Sequence, residues 1–104
     1  MLNQAVLVGR IARDFEIINS EDGSKKVIAT VAITRSYKNK DGIYETDFVD
    51  INISNGIASN TLEFVKKGDL IGIKGRIQTE DRKIVIIAEK ITFLSSKGKE
   101  EEGI

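Results

Sequence analysis

Any chemistry in this chain has to come from carboxylates, amines, guanidinium groups and a few aromatic rings. The sequence holds no histidine and no cysteine. That removes the commonest general base, the commonest zinc ligand, thiolate metal sites and disulfides together. The carboxylates do not offer an acid–base pair either. Asp47 and Asp50 lie three apart on a segment that alternates like a strand, so they face opposite sides. No phosphate-loop pattern occurs, and no serine can find a histidine partner. An enzyme is therefore not expected, and no metal or cofactor is called for. What remains is binding. Sixteen basic residues cancel sixteen acidic ones, but Glu100, Glu101 and Glu102 stand within the last five positions. Residues 1–99 then carry a surplus of three positive charges. A mildly basic body with an acidic tip permits binding to a polyanion without demanding it.

The elements that must position these groups are mostly strands. A chain of 104 residues fits one domain. The first strand is expected over Leu2 to Ile18, followed by a turn at Asp22-Gly23. Lys26 to Tyr37 alternates as a second strand, with Val27, Ala29, Val31 and Ile33 on one side. Lys38 to Gly42 reads as a hairpin turn. Tyr44 to Ser54 alternates as a third strand whose Ile51 and Ile53 face the core. Phe48 therefore falls on the polar face with Thr46, Asp50 and Asn52, an odd place for a ring. Helical spacing over Asn55 to Lys67 predicts one short helix, capped by Ser54 or Asn55 and stopped by Gly68. Leu70 to Gln78 and Ile84 to Leu94 complete the strands, joined by a short polar turn. Gly72 and Gly75 inside the fourth strand suggest a bulge or bend.

The order β-β-β-α-β-β suits the OB-fold, an all-β, five-stranded Greek-key barrel, with one short helix between strands three and four. The folded domain is expected over residues 1–95, with 96–104 a short polar and acidic tail lacking structure. The N-terminus shows no signal peptide and no membrane span, so a cytoplasmic protein is expected.

Several stretches carry a resemblance. They are Met1-Leu2-Asn3 with Val6-Leu7-Val8-Gly9-Arg10-Ile11, Arg13-Asp14-Phe15-Glu16, Ala29 through Tyr37, and Thr46-Asp47-Phe48-Val49. Val65 through Ile71, Lys74 through Thr79, and Ala88 through Leu94 follow in order. Across residues 1–94 the ordered set resembles the bacterial single-stranded DNA-binding protein family. The resemblance implies sequence-independent binding and protection of single-stranded DNA in replication, recombination and repair. It also implies a nucleoid-associated location, a homotetramer built partly through the first strand, and contacts with replication or repair proteins.

Tyr37 and Phe48 match positions where the family carries base-stacking aromatics. A flat ring suits any base, and each stack is worth about 1–3 kcal/mol. Arg10, Arg35, Lys38, Lys40, Lys67, Lys74 and Arg76 are the candidates for phosphate contacts, a salt-sensitive term. Tyr44 is read as packing. Two departures stand out. Ser54 occupies a position where the family commonly has an aromatic, and the last hairpin is reduced to Glu80-Asp81-Arg82-Lys83 without its usual ring. Weaker binding and a smaller footprint follow. Those losses also fit an alternative, an OB-fold protein-interaction module such as a primosomal or mobile-element accessory subunit with weak DNA binding. An apolar surface around Ser54 and the short hairpin would favour that alternative.

Overall fold

A computed structural model describes residues 1–96 of the chain. The elements are β1 (Ala5–Ile11), β2 (Glu16–Asn19), β3 (Lys25–Lys38), β4 (Tyr44–Ile53), α1 (Asn55–Phe64), β5 (Leu70–Glu80) and β6 (Lys83–Ser95). The strands are ordered β1-β5-β6-β4-β3-β2, and β1 also pairs with β3. That extra pairing closes β1, β5, β6, β4 and β3 into a five-stranded barrel, with β2 as an extension of β3. The β4–β6 pairing is parallel, Ile51 opposite Ile86 and Ile53 opposite Ala88. The expected OB-fold architecture is the one observed. The acidic tip Glu100–Glu102 lies outside the described residues.

The expected first strand, Leu2 to Ile18, is corrected to two strands. β1 pairs with β5 from Ala5 to Arg10, yet Arg10 and Ile11 already pair with β3. The chain therefore changes partners within a few residues, and the ladder breaks between Ile11 and Glu16. Gly9 sits at this crossing: a Cβ there would lie 2.5 Å from the Ala32 carbonyl oxygen. Close backbone approach explains the glycine. Gly75 has the same role on β5. The β5–β6 register shifts between Lys74 and Gly75, and a Cβ at Gly75 would collide with the Ile87 backbone. The bulge expected from sequence thus falls at Gly75, and a second register shift lies between Leu70 and Ile71, beside Gly72.

Inside, alternation delivers Ile11, Val27, Ala29, Val31, Ile51, Ile53, Ile71, Ile73 and Ala88 to one core. Each fully buried Ile or Val contributes about 1.5–3 kcal/mol. Ala58 and Thr61 of α1 and Val65 just after it are buried, with Ile57 and Leu62 packed against the same cluster. The helix stops at Phe64, earlier than its periodicity predicts, because Val65 is already extended. Gly68 instead serves the turn into β5, and its N–H donates to the Ile11 carbonyl at 2.8 Å. Ser54 is the N-cap by position, but its side chain makes no capping bond.

Candidate nucleic-acid interface

The candidate surface is the outer face of β3 and β4. Register pairs Ile28 with Asn52, Thr30 with Asp50, Ala32 with Phe48 and Thr34 with Thr46. Directly opposed residues share a face, so these side chains all point away from the core. Phe48 is 67% exposed. Its cross-strand neighbour is Ala32, which is too small to cover a ring. Tyr37 is 63% exposed, within the stretch where the β3–β4 register slips between Thr34 and Lys38. Tyr44 is exposed rather than packed, and the Lys38 Nζ lies 5.7 Å from its ring centroid. Beside Phe48 a polar ladder continues. Thr30 Oγ1 donates to Asp50 Oδ1 at 2.6 Å, and Arg13 Nε donates to Thr30 Oγ1 at 2.9 Å. Arg13 Nη2 also lies 3.8 Å from Asp50 Oδ1, which offsets that negative charge.

The cations are distributed unevenly. Arg10 pairs with Ala32 across β1 and β3, which puts it in the same row as Phe48. At about 4.8 Å per strand, their backbones lie roughly 10 Å apart. Its Nη1 donates to the Gly68 carbonyl at 2.9 Å, and exposed Lys67 is the residue before that glycine. Lys38 and Lys40 are exposed at the β3–β4 hairpin.

Arg35 does not join this face. It lies with Asp47 on the reverse side of the hairpin, where Nε and Nη2 donate to Asp47 Oδ2 and Oδ1, both at 3.0 Å. Nη1 lies 3.6 Å from Glu45 Oε2. The Asp47 hydrogen bonds, then the charges of Asp47 and Glu45, raise the Arg35 pKa. The same hydrogen bonds lower that of Asp47. Asp47 and Asp50 do face opposite sides, as their spacing requires. Lys74 also stands apart from Phe48: it pairs with Val6 on β1 and Lys90 on β6, on another wall of the barrel. The two departures have one cause. Positive charge in the sequence says nothing about which wall a residue occupies or which carboxylate reaches it first.

Arg76 is on the outer face with Phe48. It pairs with Ile87, which pairs with Asn52, which pairs with Ile28. Its Nη1 donates to Glu89 Oε2 at 2.7 Å. This row borders a groove of about 460 Å3 lined by Ser20, Ser24, Lys25, Lys26, Asn52, Ser54, Asn55, Arg76 and Glu80, among others. Asn52 is four residues along β4 from Phe48, about 14 Å at strand rise. Lys25, Lys26, Arg13 and Asn52 were not singled out from sequence. The available signal was the pair of lysines just past the Asp22-Gly23-Ser24 turn, where a barrel loop meets a strand. The groove beside Ser54 is lined mainly by polar and basic side chains, with Ile53 and Ile87 among them, whereas at the short hairpin Ile84 and Ile77 are exposed. No group of side chains suited to a metal occurs among the described residues. No helix among them is long and apolar enough to cross a membrane.

Comparison with known proteins gives a consistent result. Residues 2–94 match the model of the Single-strand binding protein family. The chain is 36% identical over 112 residues to a single-stranded DNA-binding protein of Halalkalibacterium halodurans, covering 99% of this chain and 67% of that one. It is 34% identical over 110 residues to single-stranded DNA-binding protein B of Bacillus subtilis, covering 97% of each. Its fold is similar to that of the Plasmodium falciparum SSB in complex with ssDNA. That match has a TM-score of 0.73 at 20% identity and covers 91% of this chain and 96% of the other.

Proposed function

The chain belongs to the single-strand binding protein family, and from that premise we propose how it holds its ligand. It binds single-stranded DNA without reading sequence. Bases stack on Phe48 and Tyr37, and phosphates meet Arg10, Lys67, Lys38 and Lys40 around the rings and Lys25, Lys26 and Arg76 along the groove. The observation that carries this reading is the open Phe48 ring on the outer face, in one row with Arg10. A stacked base gains contact area on a platform indifferent to its identity, while the cations act on the backbone. Duplex DNA hides its base faces in the stack, so the same platform discriminates against it. The action is passive: a bound strand cannot re-pair, and it stays available to replication, recombination and repair in the cytoplasm.

Assembly as a homotetramer fits this reading. β1 pairs only with β5 from Ala5 to Val8, which leaves one backbone edge open. Val6 is 68% exposed on the outside of that strand. Pairing with a second copy would remove both liabilities. Light scattering tests the mass directly; a monomer at micromolar concentration would contradict it.

The binding test is a fluorescence-anisotropy titration with labelled oligo-dT and with duplex of equal length, at two salt concentrations. Preference for the single strand, reduced by salt and by the Tyr37→Ala/Phe48→Ala double variant, is expected. Absence of single-strand binding at low salt would overturn the reading.

A further inference from the structure

Resting on the reading that the outer face holds single-stranded DNA, we propose that Glu80 is a built-in competitor for one phosphate position. Its carboxylate clasps Lys26 across the groove, and a DNA phosphate must displace it there. The groove has cations on both banks, Lys25 and Lys26 on β3 and Arg76 on β5. Among the described residues that line it, Glu80 is the one carboxylate. Lys26 Nζ lies 3.4 Å from Glu80 Oε1, a contact that joins β3 to the β5–β6 hairpin across 54 positions of sequence.

Two features hold the carboxylate in place. Its other oxygen accepts from Gln78 Nε2 at 3.1 Å. The hairpin is also short, with Glu80 paired to Lys83 around Asp81 and Arg82, both at positive φ (51° and 68°). A two-residue turn of this kind leaves little freedom for the flanking residues to swing away. The bridge itself is half exposed, with side chains 45% and 41% accessible. Exposed ion pairs are weak and easily opened, so the clasp is displaceable rather than locked. Exchange of one anion for another at Lys26 reduces the net phosphate neutralisation, and with it the counterion release that gives such binding its salt dependence.

The test uses the full chain and labelled oligo-dT, with wild type, Glu80→Gln, Lys26→Gln, the double variant, and Asp81→Asn as a neighbouring charge control. Glu80→Gln is expected to bind about 3–10-fold tighter at low salt, with a log–log salt slope steeper by up to about one. Asp81→Asn is expected to change affinity much less. Lys26→Gln is expected to cost more in the Glu80→Gln background than in wild type, which a general field effect or a purely structural tie does not produce. Wild-type binding with an unchanged Glu80→Gln, or equal Lys26→Gln losses in both backgrounds, overturns the clasp alone. A wild type that does not bind dT overturns the clasp and the reading beneath it together.

Discussion

The two ends of the outer face differ in kind. Around Phe48 the surface offers a bare ring, with Ala32 beside it and Arg10 in the same row. Around Ser54 it offers lysines, an arginine, amides and hydroxyls, with one carboxylate, Glu80, two isoleucines and no ring. The first arrangement suits a base and the second suits a phosphodiester backbone. Stacking is nearly indifferent to salt, whereas phosphate contacts fade as salt rises. On the proposed reading one continuous β surface carries two forms of attraction that respond to different conditions, and variants at either end separate them.

The largest effect is expected where the two ends depend on shared architecture. Gly75→Ala drives a Cβ into the Ile87 backbone and should cost at least about 1–3 kcal/mol, or a drop of about 4–8 °C in unfolding midpoint per kcal/mol. Thermal denaturation checks it, and an unchanged midpoint would mean that β5 and β6 can separate at no cost to admit the added methyl. Next comes Phe48→Ala, which should remove about 1–3 kcal/mol of dT binding at every salt concentration and leave the salt slope unchanged. A loss confined to low salt would mean that the ring does not stack. The Lys26→Gln/Arg76→Gln pair should do the reverse. Its affinity should fall several-fold at low salt and its slope by up to about one, because Lys26 merely exchanges Glu80 for a phosphate in the wild type, with wild-type and variant curves converging at high salt.

Arg35→Gln should have the smallest effect, less than about twofold in dT binding, because its phosphate-seeking group faces away from Phe48 and is held by carboxylates. The Asp47 pKa is lowered in the fold by the Arg35 hydrogen bonds. Its contribution to stability is therefore present above the ordinary carboxylate range and is lost only as pH falls through the lowered folded value. Carboxyl titration by NMR should show Asp47 protonating below the usual range, and Arg35→Gln should return it upward. A normal Asp47 titration in wild type would place Arg35 back among the available cations.

Much of the fold was legible because strand alternation is a local code. Ile51 and Ile53 announce the inner face of β4, and that alone puts Phe48 outside. Gly75 announces the bulge because only a residue without Cβ tolerates such an approach. The break between β1 and β2 was not legible. No glycine or proline marks it between Ile11 and Glu16, and the interruption arises because β1 must exchange β5 for β3, a contact between residues distant in sequence. Helix length failed for a similar reason: Ile57, Leu62 and Val65 keep a helical period, but Val65 is drawn into the core in an extended conformation.

The sequence by itself carried the family, through ordered motifs over residues 2–94, and it put a ring on the polar face of a strand. It also determined the barrel, through the order and periodicity of its segments. Which cations lie on that face was decided only in three dimensions. Arg35 and Lys74 are as basic as Lys26 and Arg76, which carry carboxylate partners of their own, but Arg35 is held with Asp47 on the reverse side of the hairpin and Lys74 stands on a different wall. Charge is a property of a residue, while its availability depends on neighbours that barrel closure brings together from remote parts of the chain.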